Sequence, residues 1–244
     1  RVVAAWQQGA SGQETVYAAE LHASGARWSA PTRISTAGMP ATSPAVIATP
    51  QGVVMAAWTQ GRGAQRRIAV SQSLRGKDEA VGRWSAVHLL QTLKFTGPGL
   101  SPALAADAAG NVTLAWEQSS QPPPGAQREA ILAARFHAST QRWTAPQQID
   151  NPALRSAGNP VLAVDPAGIV LCSWYQDGAQ GLQVQAARYN PSQHRWAAPV
   201  QVSDDLATVQ ASFPALAVNA AGSVMAVWQQ FNGWRTIAVA RWLP

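Results

Sequence analysis

The chain has 244 residues, of which 47% are hydrophobic and only 12% charged, with 19 Gly and 17 Pro to make turns. The charged share is about half the usual one, and no apolar run approaches the roughly 20 residues needed for a helix to span a bilayer. The net charge of +6 is spread along the whole chain rather than gathered in a stripe, its densest group being Arg62, Arg66 and Arg67, and this argues against a nucleic-acid partner.

From the first residues onward, an apolar run ends in Trp, any residue, then Gln. The copies are Trp6 with Gln8, Trp58 with Gln60, Trp116 with Gln118, Trp174 with Gln176 and Trp228 with Gln230. A recurrence every 50 to 60 residues marks one supersecondary unit used repeatedly. Approximate units are 1–42, 43–100, 101–158, 159–212 and 213–244, expected to form a single domain over 1–244.

Within each unit four strands, a to d, are predicted. Strand a opens at Pro44, Pro102, Pro160 or Pro214. It reaches a tight turn at Thr49 to Gly52, Asp107 to Gly110, Asp165 to Gly168 or Asn219 to Gly222, where a short polar side chain and a Gly able to take positive φ predict a hairpin. Strand b carries the Trp-x-Gln. Val54, Ala56 and Trp58 share one face with Met55 and Ala57 on the other, so both sides of the sheet are expected to be covered. A polar loop leads to strand c, such as Ile131 to Phe136. A second hairpin then leads to Arg-Trp at positions 27–28, 83–84, 142–143 and 195–196, which opens strand d toward Ile34, Leu89, Ile149 or Val202.

Four short antiparallel strands per unit predict an all-β fold, a five-bladed β-propeller of four-stranded antiparallel blades with incomplete terminal blades. The first copy starts inside strand b and the last stops after strand c, as expected of a chain trimmed from a longer protein. The opening prolines fit an edge strand at the inner rim, where a missing amide donor costs little. Cys172 fills a slot held elsewhere by Ala4, Ala56, Leu114 and Ala226, so it is read as a buried structural thiol with no disulfide.

At the c-to-d hairpin the chain resembles the Asp-box repeats of sialidase-like β-propellers, whose pattern is Ser-x-Asp-x-Gly-x-Thr-Trp. The Trp is kept at Trp28, Trp84, Trp143 and Trp196, and Gly25 holds the Gly in one copy. Arg replaces Thr in all four, and Ala23, Glu79, Ala138 and Pro191 stand where Asp belongs. The resemblance implies the fold. A sialidase-type site would also need an arginine triad and a Tyr and Glu pair, yet Tyr17, Tyr175 and Tyr189 sit in no recognisable pairing in the sequence. Arg135, Arg188 and Arg241 recur on strand c beside Ala and are read as side chains lying over apolar surface with solvated heads.

Strand direction puts the b-to-c loops and the d-to-a crossovers at one end. Those segments vary in length and carry the candidate binding residues Trp234, Phe231, Asp177, Glu117, Phe95, Arg155 and Asp204, an aromatic and amide mixture suited to a sugar ring. Gln8, Gln60, Gln118, Gln176 and Gln230 reach the same end. They are candidates to ring the channel mouth, although a repeat-wide residue more often answers a repeat-wide packing need. The four His residues are scattered, so no metal and no cofactor are expected.

The resulting expectation is a non-catalytic binding or scaffold module, secreted or periplasmic, whose partner is a carbohydrate or protein and whose oligomeric state is open. The alternative is a glycoside hydrolase using rim carboxylates drawn from Glu117, Asp150, Asp177, Asp204 and Asp205.

Overall fold

A computed structural model describes residues 2–21, 27–74, 83–90, 97–119, 128–203, 210–231, 233 and 235–242, the last stretch by its backbone. The strands form five antiparallel sheets in chain order. Blade 1 holds β1 (Val2–Gln8), β2 (Thr15–Leu21) and β3 (Thr32–Arg33). Blade 2 holds β4 (Ala41–Ala48), β5 (Val54–Gln60), β6 (Arg67–Leu74), β7 (Arg83–Trp84) and β8 (His88–Leu90). Blade 3 holds β9 (Gly99–Ala106), β10 (Val112–Ser119), β11 (Glu129–His137), β12 (Arg142–Trp143) and β13 (Gln147–Gln148). Blade 4 holds β14 (Ala157–Val164), β15 (Val170–Gly178), β16 (Gly181–Asn190), β17 (Arg195–Trp196) and β18 (Val200–Gln201). Blade 5 holds β19 (Gln210–Val218), β20 (Val224–Phe231) and β21 (Arg235–Trp242).

Each sheet is a meander of chain neighbours, with β8, β13 and β18 returning to pair with β6, β11 and β16, and successive inner strands pack on one another, β4 on β9, β9 on β14 and β14 on β19. This is the five-bladed β-propeller expected from the repeat, with the first blade lacking its inner strand and the last its outer one. The a-to-b turns have the predicted chemistry. Gly52, Gly110, Gly168 and Gly222 all sit near φ +80, and each donates its amide to the carbonyl three residues back. Asp107, Asp165 and Asn219 also accept the amide four residues on.

The core lies between blades, because the Trp of strand b packs on the preceding blade. Trp58 meets Val16 and Ala18, Trp116 meets Ile68 and Val70, Trp174 meets Ile131 and Ala133, and Trp228 meets Val184. Trp58, Trp116 and Trp174 are fully buried and Trp228 nearly so. Trp6 is only half-buried, and at the other end Met225 is 47% exposed where its counterpart Met55 is 2% exposed. Cys172 is buried beside Trp174, and burial pushes its thiol far above the ordinary value, as a structural role requires.

Two expectations about strands are corrected. Strand a begins about three residues before its proline, at Ala41, Gly99, Ala157 and Gln210. The prolines lie at a register shift within the strand, a bulge that leaves one inner-strand residue unpaired, so the missing N–H is harmless there. The preceding residue, Ser43, Ser101, Asn159 or Phe213, takes φ +50 to +53. Strand d is not continuous, because one extra residue is inserted between the pairs Phe136 with Trp143 and Ala133 with Gln147. The Thr144 hydroxyl fills the break by accepting the Arg135 amide at 3.0 Å, and Ser85 does the same for Gln72 at 3.1 Å.

Candidate functional site

The b-to-c loops and the d-to-a crossovers meet at one end of the propeller, joined by backbone bonds such as Gly61 N to Pro40 O, Gly97 N to Ser119 O and Arg155 N to Asp177 O. The glutamines of blades 2, 3 and 4 hold that joint together. Each Gln accepts the indole N–H of its own Trp, at 2.9 Å for Trp116 with Gln118 and 3.3 Å for Trp6 with Gln8. The amides then clip the preceding crossover. Gln60 donates to Thr36 Oγ1 at 2.9 Å, Gln118 to Gly97 O at 2.5 Å, and Gln176 to Asn151 O at 2.8 Å. Gln60, Gln118, Gln176 and Gln230 are buried, so their positions answer a packing need and do not ring the channel mouth.

The residue between Trp and Gln projects from the opposite face and so meets the following blade. There it reaches the left-handed residue of the inner-strand bulge or a residue within two of it. Gln7 Oε1 accepts the Ser43 amide at 2.6 Å, Thr59 donates to Gly99 O at 3.2 Å, Glu117 Oε1 accepts the Asn159 amide at 2.7 Å, and the Tyr175 ring lies 6.4 Å from that of Phe213. This position varies from blade to blade while its surroundings repeat, the behaviour expected of a functional position on a repeated scaffold.

At blades 3 and 4 the variable position builds a polar cluster. Ser119 stands opposite Glu129 and Ile131 opposite Glu117, so the two glutamates are diagonal neighbours on one face of the sheet. Such neighbours have backbones about 7 to 8 Å apart. Glu129 Oε2 accepts the Ser156 hydroxyl at 2.6 Å, and Ser156 belongs to the crossover into blade 4. Both carboxylates are half-buried and face blade 4. Tyr175 is the third member. Its hydroxyl lies over Gly158 on the inner strand, where an added Cβ would come within 2.5 Å of the oxygen. The equivalent residues in blades 2, 3 and 5 are Thr42, Leu100 and Ser212, so the bare glycine and the tyrosine occur together in blade 4 alone. Burial, and then the charges of Glu117 and Glu129, push the Tyr175 phenol above its ordinary value. It is held as a neutral hydrogen-bond donor beside two carboxylates.

The other predicted residues fall as follows. Asp177 and Arg155 do meet at this end, with 3.8 Å between their charged atoms and both partly or largely exposed. Phe231 is 46% exposed at the end of β20. Phe95, Asp204, Asp205 and Trp234 lie outside the described residues. Asp150 is not a rim carboxylate. It is buried, takes the Ile131 amide at 3.1 Å, pairs with Arg128, and occupies the place of Ser35 and Ser203, which accept the Val16 and Val184 amides. Burial raises its pKa, and Arg128 offsets only part of that. Arg135 is not solvated either. It is buried, ion-paired with Asp107, bonded to Thr113 at 2.9 Å and stacked 5.0 Å over Tyr189. Among the described residues no group of three or more potential ligands for a metal ion occurs. Sequence reasoning missed Glu129 and Tyr175. The signal for Tyr175 is the identity of the residue inside Trp-x-Gln, which changes while its flanks do not.

No family model and no curated protein matches the chain in sequence. Solved structures share its fold. A polysaccharide lyase, the ulvan lyase PL25, superposes with a TM-score of 0.66 at 11% identity over 98% of this chain and 66% of the lyase. The α-L-arabinanase of Penicillium chrysogenum complexed with arabinobiose gives 0.55 at 15% identity over 82% and 62%. The endo-arabinase of Bacteroides thetaiotaomicron VPI-5482 gives 0.51 at 13% identity over 98% and 88%. The chain thus spans about two thirds of the length of the lyase and somewhat less of the Penicillium enzyme.

These β-propellers are glycan-processing enzymes. The expectation of a non-catalytic binding or scaffold module is corrected accordingly, since the solved structures that share this fold favour the alternative reading.

Proposed function

We propose that this propeller carries a glycoside hydrolase site acting on a neutral glycan, with Glu117 and Glu129 as the working carboxyl pair and Tyr175 as a hydrogen-bond donor to the sugar beside the scissile bond. The observation that carries the reading is the diagonal placement of the two glutamates on one sheet face next to a phenol kept protonated. Glycosidases hold such pairs about 5 to 9.5 Å apart, one protonating the leaving oxygen while the other attacks the anomeric carbon or activates water. Ser156 and the Asn159 amide fix the two carboxylates by hydrogen bonds, so their geometry is set before substrate arrives.

The lyase chemistry of the structurally similar ulvan lyase fits this cluster less well. Elimination from a uronate needs positive charge beside the sugar carboxylate and a readily deprotonated base. Here two glutamates would repel an anionic sugar, and they raise the phenol rather than lower it. The arabinose polymers named for the arabinanases are the first neutral glycans to try. On this reading the sialidase-like subtype contributes the scaffold and its outer Trp residues and no catalytic group. A polymeric glycan substrate also supports export from the cell.

The test is hydrolysis of linear arabinan and a panel of neutral polysaccharides, followed by reducing-end release. Glu117→Gln and Glu129→Gln should each lower the rate at least about 10²-fold, the scale of a lost general acid or base. Products absorbing near 235 nm from a uronate-containing polysaccharide run alongside, as unsaturated uronides do, or full activity in both variants, would remove the proposal.

A further inference from the structure

Repeat-equivalent positions between neighbouring blades reveal a second site, far from the glutamates, on the flank where blades 2 and 3 meet near the c-to-d turns. A cleft of about 370 Å³ opens there, lined by Met55, Gln72 and His88 of blade 2 and by Phe136, Gln141 and Trp143 of blade 3. The next cleft round the ring, between blades 3 and 4, has Arg135 in the place of Gln72, Tyr189 in that of Phe136 and Trp196 in that of Trp143.

The two clefts differ in how their polar groups are satisfied. Between blades 3 and 4, Arg135 is fully engaged by Asp107, Thr113 and the Tyr189 ring. Between blades 2 and 3 the positions of Asp107 and Arg135 are Thr49 and Gln72. Thr49 Oγ1 and Gln72 Oε1 are both buried without a hydrogen-bond partner among the described residues. Such unpaired atoms are costly in a folded protein and call for a partner that none of the described residues supplies. The Gln72 amide nitrogen makes only a long 3.5 Å contact to Gln141 Oε1. Beside it, Trp143 is half-buried and tilted against Phe136, with ring centroids 5.5 Å apart.

We infer that this cleft binds one ring of a neutral sugar chain, whose C–H face lies on Trp143 while the loosely tied Gln72 amide turns its buried oxygen outward to accept one hydroxyl and Gln141 engages another. An uncharged ligand rich in O–H donors fits an orphaned amide oxygen, and an aromatic floor fits the apolar face of a pyranose or furanose. The site would tether a polymer on the outer flank of the propeller while its chain reaches the glutamates. The inference rests on the hydrolase reading only for its class of ligand.

The test uses the whole chain carrying Glu129→Gln, so that ligands stay intact, titrated with arabinohexaose, xylohexaose and cellohexaose and followed by indole N–H shifts and calorimetry. Expected is a shift of the Trp143 indole with at least one sugar. Gln72→Leu and Trp143→Ala should weaken that site at least about tenfold, the loss expected for one well-placed contact. Gln141→Gly, which suits the φ of +56 at that position and so keeps the fold, should weaken it severalfold. In the otherwise wild-type chain, Gln72→Leu should leave hydrolysis of a short soluble substrate within about twofold. No movement of the Trp143 indole with any of the three sugars, or unchanged affinity in Gln72→Leu and Gln141→Gly, would overturn the inference. Groove binding without hydrolysis would support the cleft and defeat the catalytic proposal. Hydrolysis with a silent cleft would do the reverse.

Discussion

Gly158→Ala separates a catalytic role of the blade 4 cluster from a merely structural one. The new methyl would sit 2.5 Å from the Tyr175 hydroxyl and 2.7 Å from the ring carbon that bears it. Carbon and oxygen atoms at rest stand about 3.5 Å apart, so the phenol tip must retreat by about 1 Å. Overpacking of this kind costs about 1 to 3 kcal/mol of stability, visible as a lowered urea midpoint. A 1 Å misplacement of a positioning group costs about 10²-fold in rate, equivalent to about 2.7 kcal/mol of transition-state energy. The assay is a double-mutant cycle on kcat/KM with Tyr175→Phe. In the Phe background the ring still clashes, so the stability loss persists. The rate loss should shrink below about threefold, because the hydroxyl it displaced is already gone. Wild-type kcat/KM in Gly158→Ala, or equal rate losses in both backgrounds, would refute the role given to the phenol.

Other consequences follow from the same geometry. Gln118→Leu strands the buried Trp116 N–H and leaves the Gly97 carbonyl with only its longer bond from Arg67, and should cost about 2 to 4 kcal/mol in urea denaturation, whereas Gln8→Leu, at an exposed copy, should cost under about 0.5 kcal/mol. Arg135→Met leaves Asp107 buried without its cation and should destabilise by about 3 to 5 kcal/mol, partly restored by adding Asp107→Asn. In an alkaline titration at 295 nm, one phenol should ionise later than free tyrosine, disappear in Tyr175→Phe and move down in Glu117→Gln. Because that phenol is raised in the folded state, its contribution to stability is complete below about pH 10, the unfolded value, and is lost as pH climbs through the folded one.

The blades were readable from one line of text because Trp58, Trp116 and Trp174 recur with constant flanks, and the physics behind them, an indole buried on the preceding sheet and capped by its own Gln, is the same each time. The cluster was not readable for the converse reason. Glu117 and Tyr175 occupy the one position in Trp-x-Gln that changes, and Glu129 comes at the end of a variable loop, so no internal repetition marks them. Asn159 and Ser156, the partners of Glu117 and Glu129, belong to the next blade's inner strand and crossover, about 40 residues away in the case of Glu117 and Asn159, while Gly158 faces Tyr175 across its own blade. Arg135 misled because two alanines precede it and Phe136 follows, while Asp107, which neutralises it, sits across the sheet at the end of strand a. The inner-strand bulge hid the true start of strand a, since proline reads as an opening residue when pairing is unknown.

The Trp-to-preceding-sheet contact gives the propeller a grain, like overlapping roof tiles. Loosening any blade exposes the indole of its follower but takes only side-chain cover from its predecessor. Local opening should therefore run forward along the chain more readily than backward. Amide exchange in the 50s to 70s should accelerate when blade 1 is weakened, yet change less when blade 3 is.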